Sequence, residues 1–172
     1  MATADYIKDS LAVDGGFTLN GTGVLQYKGV LLKSGEANKE VFHVKFPPLK
    51  KSDEPNEQQP NNIGEFLALI NGLAWLKEQG LNIVIYSDSP VAIGWVVDKG
   101  EHDSKVAKAW EKNSDNDEYA RKLILAALDK ASEWLKKNKP DIDVDRVKCW
   151  DRKNLSENGN EWGPIPADCK EA

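Results

Sequence analysis

The sequence predicts an α/β domain built on a five-stranded mixed sheet, three strands antiparallel and two parallel, flanked by helices. Two observations carry this reading. The first third holds short apolar runs separated by turns too brief for a helical crossover, which favours hairpins. Beyond it, two further apolar runs are each entered through segments of helical period, giving the order βββ-α-β-α-α-β. A doubly wound dinucleotide fold would alternate strand and helix from the start. No internal repeat points to a solenoid.

The elements follow in order. Leu11 and Val13 lead into a Gly-rich turn, then come Val24–Tyr27 and Val30–Leu32. After the polar turn Ser34–Asn38 a third strand, Val41–Phe46, ends at Pro47-Pro48, because proline cannot donate to a ladder. A polar surface loop is expected at about 47–61. A helix is expected from about Ile63 to Gln79, with apolar residues at three- and four-residue steps and Gly80 as its C-terminal cap. Ile83–Tyr86 is a nearly continuous apolar run, as suits a strand covered on both faces. Ser89 caps a second helix with Pro90 at its first position. The long helix expected over about Asp117 to Lys137 presents Leu123, Ile124, Leu128, Ala131 and Leu135 on one face and is stopped by Pro140. Val144–Trp150 reads as the last strand, and an irregular tail starts at about 151.

The 172 residues suit one domain spanning 1–172. At that size roughly 70% of the unfolded chain's surface can be buried, so folding requires no metal or disulfide. Lys and Arg number 23 against 28 Asp and Glu, a net charge of −5, which argues against a nucleic-acid partner held by bulk positive charge. The N-terminal stretch lacks the basic and apolar regions of a secretory signal. The longest apolar run, Phe66–Leu76, is broken by Asn71 and Gly72, far short of the roughly 20 residues a membrane span needs. Cys149 and Cys169 have neither zinc-site nor disulfide-scaffold spacing. A cytoplasmic chain with two reduced thiols is the expectation.

Four acids stand out. Asp14 ends an apolar run, where a carboxylate is costly to bury unless paired or bound to metal, although Asp14-Gly15 also fits a type I′ hairpin turn. Glu65 follows Asn62 at capping-box spacing. Asp88 closes the Ile83–Tyr86 strand, where it fits a helix-entry acid and also the strand end at which α/β sheets place ligands. Asp168, alone, would be a solvated tail residue. Should the fourth strand insert beside the first, Asp14 and Asp88 would lie on neighbouring parallel strands about 4.8 Å apart. Like charges that close do not both stay ionised without a cation. All-carboxylate sites of this kind bind two hard divalent ions.

Four ordered stretches, Val13-Asp14-Gly15-Gly16 with Asn20, Asn61-Asn62-Ile63-Gly64-Glu65, Tyr86-Ser87-Asp88-Ser89 and Trp162-Gly163-Pro164-Ile165-Pro166-Ala167-Asp168, resemble the type 1 ribonuclease H family. The last is similar to the W-G-x-I-P-A-D ending of a bacterial subgroup. The resemblance implies a ribonuclease H-like fold and cleavage of the RNA strand of an RNA/DNA hybrid, leaving 3′-hydroxyl and 5′-phosphate ends. It implies two Mg²⁺ ions, with Mn²⁺ as a substitute, held by Asp14, Glu65, Asp88 and Asp168. Asn20, Asn61 and Asn62 would reach the hybrid's minor groove, and Gly15 and Gly16 would let the backbone approach the RNA strand. Neither a membrane nor an obligatory protein partner is implied. The rival readings are an exonuclease or junction nuclease of the same fold, or a catalytically silent binding domain.

The chain departs from the family at several points. The family's G-N-P-G turn is Leu19-Asn20-Gly21-Thr22, the Thr that often precedes the paired Asn is Pro60, and the Gln that often follows the third motif is Pro90. No His lies between Trp150 and Asp168, where many members carry one in a mobile loop, and Asp151, Glu157 and Glu161 are the acids available in its place. His43 and His102 read as surface residues. From Val91 to Lys112 there are four Lys and four acids, so no basic handle helix is evident. Trp95 and Trp110 lie in that stretch, with core packing the expected use of at least one.

Overall fold

Five strands, β1 (Ser10–Thr18), β2 (Val24–Leu32), β3 (Lys39–Lys45), β4 (Val84–Ser87) and β5 (Val147–Cys149), form one sheet in the order β3-β2-β1-β4-β5. The computed structural model describes residues 8–18, 24–48, 58–97, 119–156 and 159–168. β1 pairs antiparallel with β2, and β2 with β3. β4 inserts beside β1 in parallel and β5 beside β4 in parallel. Both parallel pairs need crossovers, and the helices supply them: α1 (Gln58–Gln79) before β4, then α2 (Pro90–Val97) and α3 (Tyr119–Asn138) before β5. This is the mixed sheet that the sequence predicts, with three antiparallel strands and two parallel.

Four boundaries differ, each for a local reason. Gly15 and Gly16 do not turn the chain; β1 runs straight through Asp14 to Thr18, paired residue by residue with β2. The two apolar runs Val24–Tyr27 and Val30–Leu32 are one strand, irregular at Gly29/Val30, where the Phe42 ring lies 2.5 Å from the position a Cβ on Gly29 would take. Helix α1 begins at Gln58, not near Ile63, and takes in the last residues of the loop expected at about 47–61, of which 49–57 lie outside the described residues. Pro60 is tolerated because it falls in the first turn, whose N–H groups have no intrahelical partner. Val144–Arg146 is a 3₁₀ turn, capped by Asp143 Oδ1 accepting from Asp145 N–H at 3.1 Å, and only Val147–Cys149 is strand. The Ser89 cap is as predicted: its Oγ accepts from Ala92 N–H at 3.1 Å.

The sheet buries both faces. Alternate residues of β1, Leu11 and Val13, face α1, itself packed against α3, in the larger core with Leu25, Phe66, Ile85 and Leu135. The opposite parity, led by Ala12, packs under the tail, against Tyr86, Trp150, Ile165 and Ala167. Helix α1 lies unusually close to the sheet through Gly64, Ala68 and Gly72, spaced four apart on one side. A Cβ on Gly72 would sit 2.6 Å from Ile85 Cδ1 and 2.8 Å from Val13 Cγ1. Among the described residues no helix is long and apolar enough to cross a membrane.

Candidate metal centre

The β1–β4 pairing ends at Val13↔Ser87, so Asp14 and Asp88 are the first residues beyond it on two adjacent parallel strands. Asp14 is held in β1 opposite Lys28 of β2 and is 1% exposed. Asp88 leaves β4 into a turn in which Ser87 Oγ accepts from Ser89 N–H at 3.2 Å, and it is exposed. Glu65 arrives from α1. Because the helix starts at Gln58, Glu65 stands two turns inside it and is no capping residue.

What brings Glu65 to Asp14 is a contact of glycine on glycine. A Cβ on Gly15 would lie 2.1 Å from Gly64 C and O and 2.6 Å from Glu65 N, so only glycine at 15 lets the helix backbone touch the strand. The Gly15 N–H then donates to the Glu65 carboxylate, and Glu65 and Asp14 share a hydrogen bond. The packing role is thus what the structure displays for Gly15. Gly16, buried beside it, has its N 3.2 Å from where a Cβ on Gly64 would sit.

Asp14, Glu65 and Asp88 each offer a carboxylate oxygen, and these oxygens all lie within 4.8 Å of one another. Burial, then the charges of Asp14 and Asp88, push Glu65 up from 4.5 to about 11. Without a cation it therefore carries a proton, as three clustered carboxylates require. Glu65 Oε2 is buried with no hydrogen-bond partner. An all-oxygen set with an unsatisfied buried acceptor fits a hard divalent ion, and these three acids can hold one.

Asp168 is outside that trio. It is half-buried and lines a cavity of about 410 Å³ together with Asp88, Cys149, Asp151, Arg152 and Ile165. The tail reaches it in order: Trp150 Nε1 donates to Gly163 O at 2.9 Å, and Asp168 N–H to Ile165 O at 2.9 Å. Gly163 has φ +77°, a left-handed conformation that glycine adopts without strain. Trp150, Trp162 and Tyr86 pack ring on ring at centroid distances of 5.0 to 6.1 Å. Burial first, then Asp88 and Asp151, push the Cys149 thiol up, so it stays protonated and is a poor soft-metal ligand.

The remaining sequence candidates divide. Asn62 is half-buried on α1; Asn61 lies in the first half of that helix, with its side chain outside the described residues, as is the whole of Asn20. Of the acids considered for the missing His, Asp151 lines the cavity, Glu161 is exposed in a bridge to Leu155, and Glu157 is outside the described residues. His43 is a surface residue of β3, hydrogen-bonded to Gln26 Oε1 at 2.8 Å, and His102 is outside the described residues. Trp95 packs edge-on against Phe66 at 5.7 Å, while Trp110 is outside the described residues. Arg152, which also lines the cavity, carries no signal in the sequence by itself.

No family model matches the sequence. Among solved structures the chain is similar to the protease-reverse transcriptase of prototype foamy virus, at 14% identity and a TM-score of 0.42, covering 87% of this chain and 18% of that one. It is similar to RNase H1 from the halophilic archaeon Halobacterium salinarum, at 13% identity and a TM-score of 0.40, covering 87% of this chain and 86% of that one. The foamy virus RNase H domain in solution is 13% identical with a TM-score of 0.37, over 87% of this chain and 78% of that one.

Proposed function

We propose that this chain is a metal-dependent endonuclease that hydrolyses the RNA strand of RNA/DNA hybrids, leaving 3′-hydroxyl and 5′-phosphate ends. The observation that carries the reading is the meeting of Asp14, Glu65 and Asp88 within 4.8 Å, where the parallel pairing of β1 and β4 ends and α1 crosses it. Asp14, Glu65 and Asp88 would hold one Mg²⁺, or Mn²⁺ in its place, and Asp168 across the cavity would help hold a second. When bound, such ions supply an activated water and stabilise the leaving oxygen of a phosphoryl group. Asp14, locked in the strand ladder, fixes the position of the cluster. Glu65 would hold such an ion in its deprotonated form. Asn62 and Asn61 of α1, with Asn20, would meet the minor groove, where the 2′-hydroxyl separates RNA from DNA.

The test is a comparison of labelled RNA/DNA hybrid, duplex DNA and duplex RNA, each with Mg²⁺, Mn²⁺ or chelator. Internal cuts confined to hybrid RNA are expected, abolished by chelator and lowered by about a thousandfold or more in Asp14→Asn, the loss of several kcal/mol of transition-state stabilisation. Digestion of DNA ends would replace the reading with an exonuclease. Hybrid binding without cleavage in any metal would replace it with a silent binding domain.

A further inference from the structure

We propose that Arg152 is a phosphate-contact residue of this site, holding a phosphodiester oxygen of the strand that lies against Asp88 and Asp168. The inference rests on the nuclease reading and deepens it.

Among the described residues lining the 410 Å³ cavity Arg152 is the one cation, in the company of Asp88, Asp151 and Asp168. A guanidinium beside three carboxylates would ordinarily pair with one of them. Here its side chain makes no hydrogen bond or ion pair within the described structure, although its backbone is fixed. Arg152 O accepts from Gly163 N–H at 3.0 Å, and the adjoining turn closes through Asn154 N–H to Asp151 O at 2.9 Å. The Asp151 carboxylate is engaged by the turn itself, accepting from Lys153 N–H at 2.9 Å. Asp88 is drawn into the trio with Asp14 and Glu65. A hydrogen-bonded backbone therefore carries an exposed Arg152, its guanidinium without a partner among the described residues, in the lining of an acidic cavity.

The chemistry selects the ligand. Arginine stays charged at any relevant pH, so Arg152 cannot move a proton in place of the His missing from this segment. Its planar fork matches two oxygens of a phosphate. In a chain of net charge −5 the polyanion is not held by bulk attraction, which makes one local cation count. The ligand class is a nucleic-acid phosphodiester, met at a single position along the strand.

The experiment measures anisotropy of a labelled RNA/DNA hybrid with the full chain carrying Asp14→Asn, in Mg²⁺, over a series of salt concentrations. Adding Arg152→Ala is expected to weaken binding about tenfold, the scale of one charged hydrogen bond. It also lowers the slope of log affinity against log salt by about one. Arg152→Lys recovers part of the affinity. Lys153→Ala removes the same charge one residue away, outside the cavity lining, and stays within about twofold of its parent, the range of a surface charge. Replacing single phosphates of the hybrid by uncharged methylphosphonates locates the contact: one position weakens binding to the Arg152 protein and has no effect on Arg152→Ala. Unchanged affinity and slope in Arg152→Ala, or an equal loss in Lys153→Ala, would overturn the inference while leaving the nuclease reading intact. Wild-type protein that neither binds nor cleaves hybrid in Mg²⁺ would sink both.

Discussion

The two faces of the sheet are covered in different ways, and each brings a different part of the candidate site. On one face α1, itself packed against α3, presses a large aliphatic core onto Leu11, Val13 and Ile85, and carries Glu65 to Asp14. On the other, an irregular tail lays Trp150, Trp162, Ile165 and Ala167 over Ala12 and Tyr86, and ends its described part at Asp168. The helical face holds its acid by a backbone-to-backbone contact with no slack. The tail face holds its acid by aromatic packing and a few hydrogen bonds in a chain without regular structure. The trio should therefore be rigid and independent of the tail, whereas Asp168 should depend on it. Separate substitutions should break each side of that division.

The largest effect belongs to Gly15→Ala. The new methyl would meet Gly64 backbone at 2.1 Å, a contact that no side-chain rotation relieves. The expected cost is about 3 kcal/mol, the upper part of the usual range for overpacking. Chemical denaturation measures it. The protein that still folds should have α1 displaced, so Mn²⁺ titration should show loss of affinity. Gly64→Ala meets Leu25 Cδ1 at 3.1 Å and Gly16 N at 3.2 Å, and should cost less.

Glu65 gives the trio a pH signature. Its folded value, about 11, lies far above its ordinary 4.5, so the metal-free folded chain keeps a proton that the unfolded chain releases. The stability that this proton contributes in chelator should therefore be fully present below about pH 4.5 and be lost progressively as pH rises toward 11. Glu65→Gln keeps the shape without the titration and should flatten the profile, so that at pH 8 the variant outlasts the wild type in denaturant. A wild type as stable in chelator at pH 8 as at pH 5 would contradict the buried trio. The same linkage predicts proton release on Mg²⁺ binding at neutral pH, visible by calorimetry in buffers of different ionisation enthalpy.

The elements of the helical face were legible because their signals are local, whereas Glu65 read locally as a helix cap until α1 was seen to start at Gln58. The three-residue steps of α1, the Ser89-Pro90 helix start and the apolar run into Asp88 each speak for themselves. Asp14 read as turn or ligand until its partners were known, because Asp-Gly looks alike in a hairpin and in a strand. The Gly64–Ala68–Gly72 stripe was printed in the sequence, yet its meaning needs the position of β1, which no local pattern contains. The tail was least legible. Its burial comes from long-range packing of Trp150 and Trp162 on Tyr86, and its turns have no period to read. Arg152 went unnoticed for the same reason: a lone arginine signals nothing until the cavity around it is seen.

The smallest expected effect separates the two faces most cleanly. Trp150→Phe keeps a ring near Tyr86 and Trp162 and deletes the indole N–H that Gly163 O accepts at 2.9 Å. The cost should be about 2 kcal/mol, one hydrogen bond plus the packing lost with the smaller ring. That bond ties the end of β5 to the turn preceding Asp168, so its loss frees the tail without touching α1. Mn²⁺ affinity at the trio should then stay unchanged while turnover on hybrid falls, and the same substitution in an Asp168→Asn protein should add little further loss. Non-additivity of that kind is what coupling through a shared position produces. Additive losses would mean that Trp150 acts apart from Asp168, and a fall in metal affinity would mean that the trio leans on the tail after all.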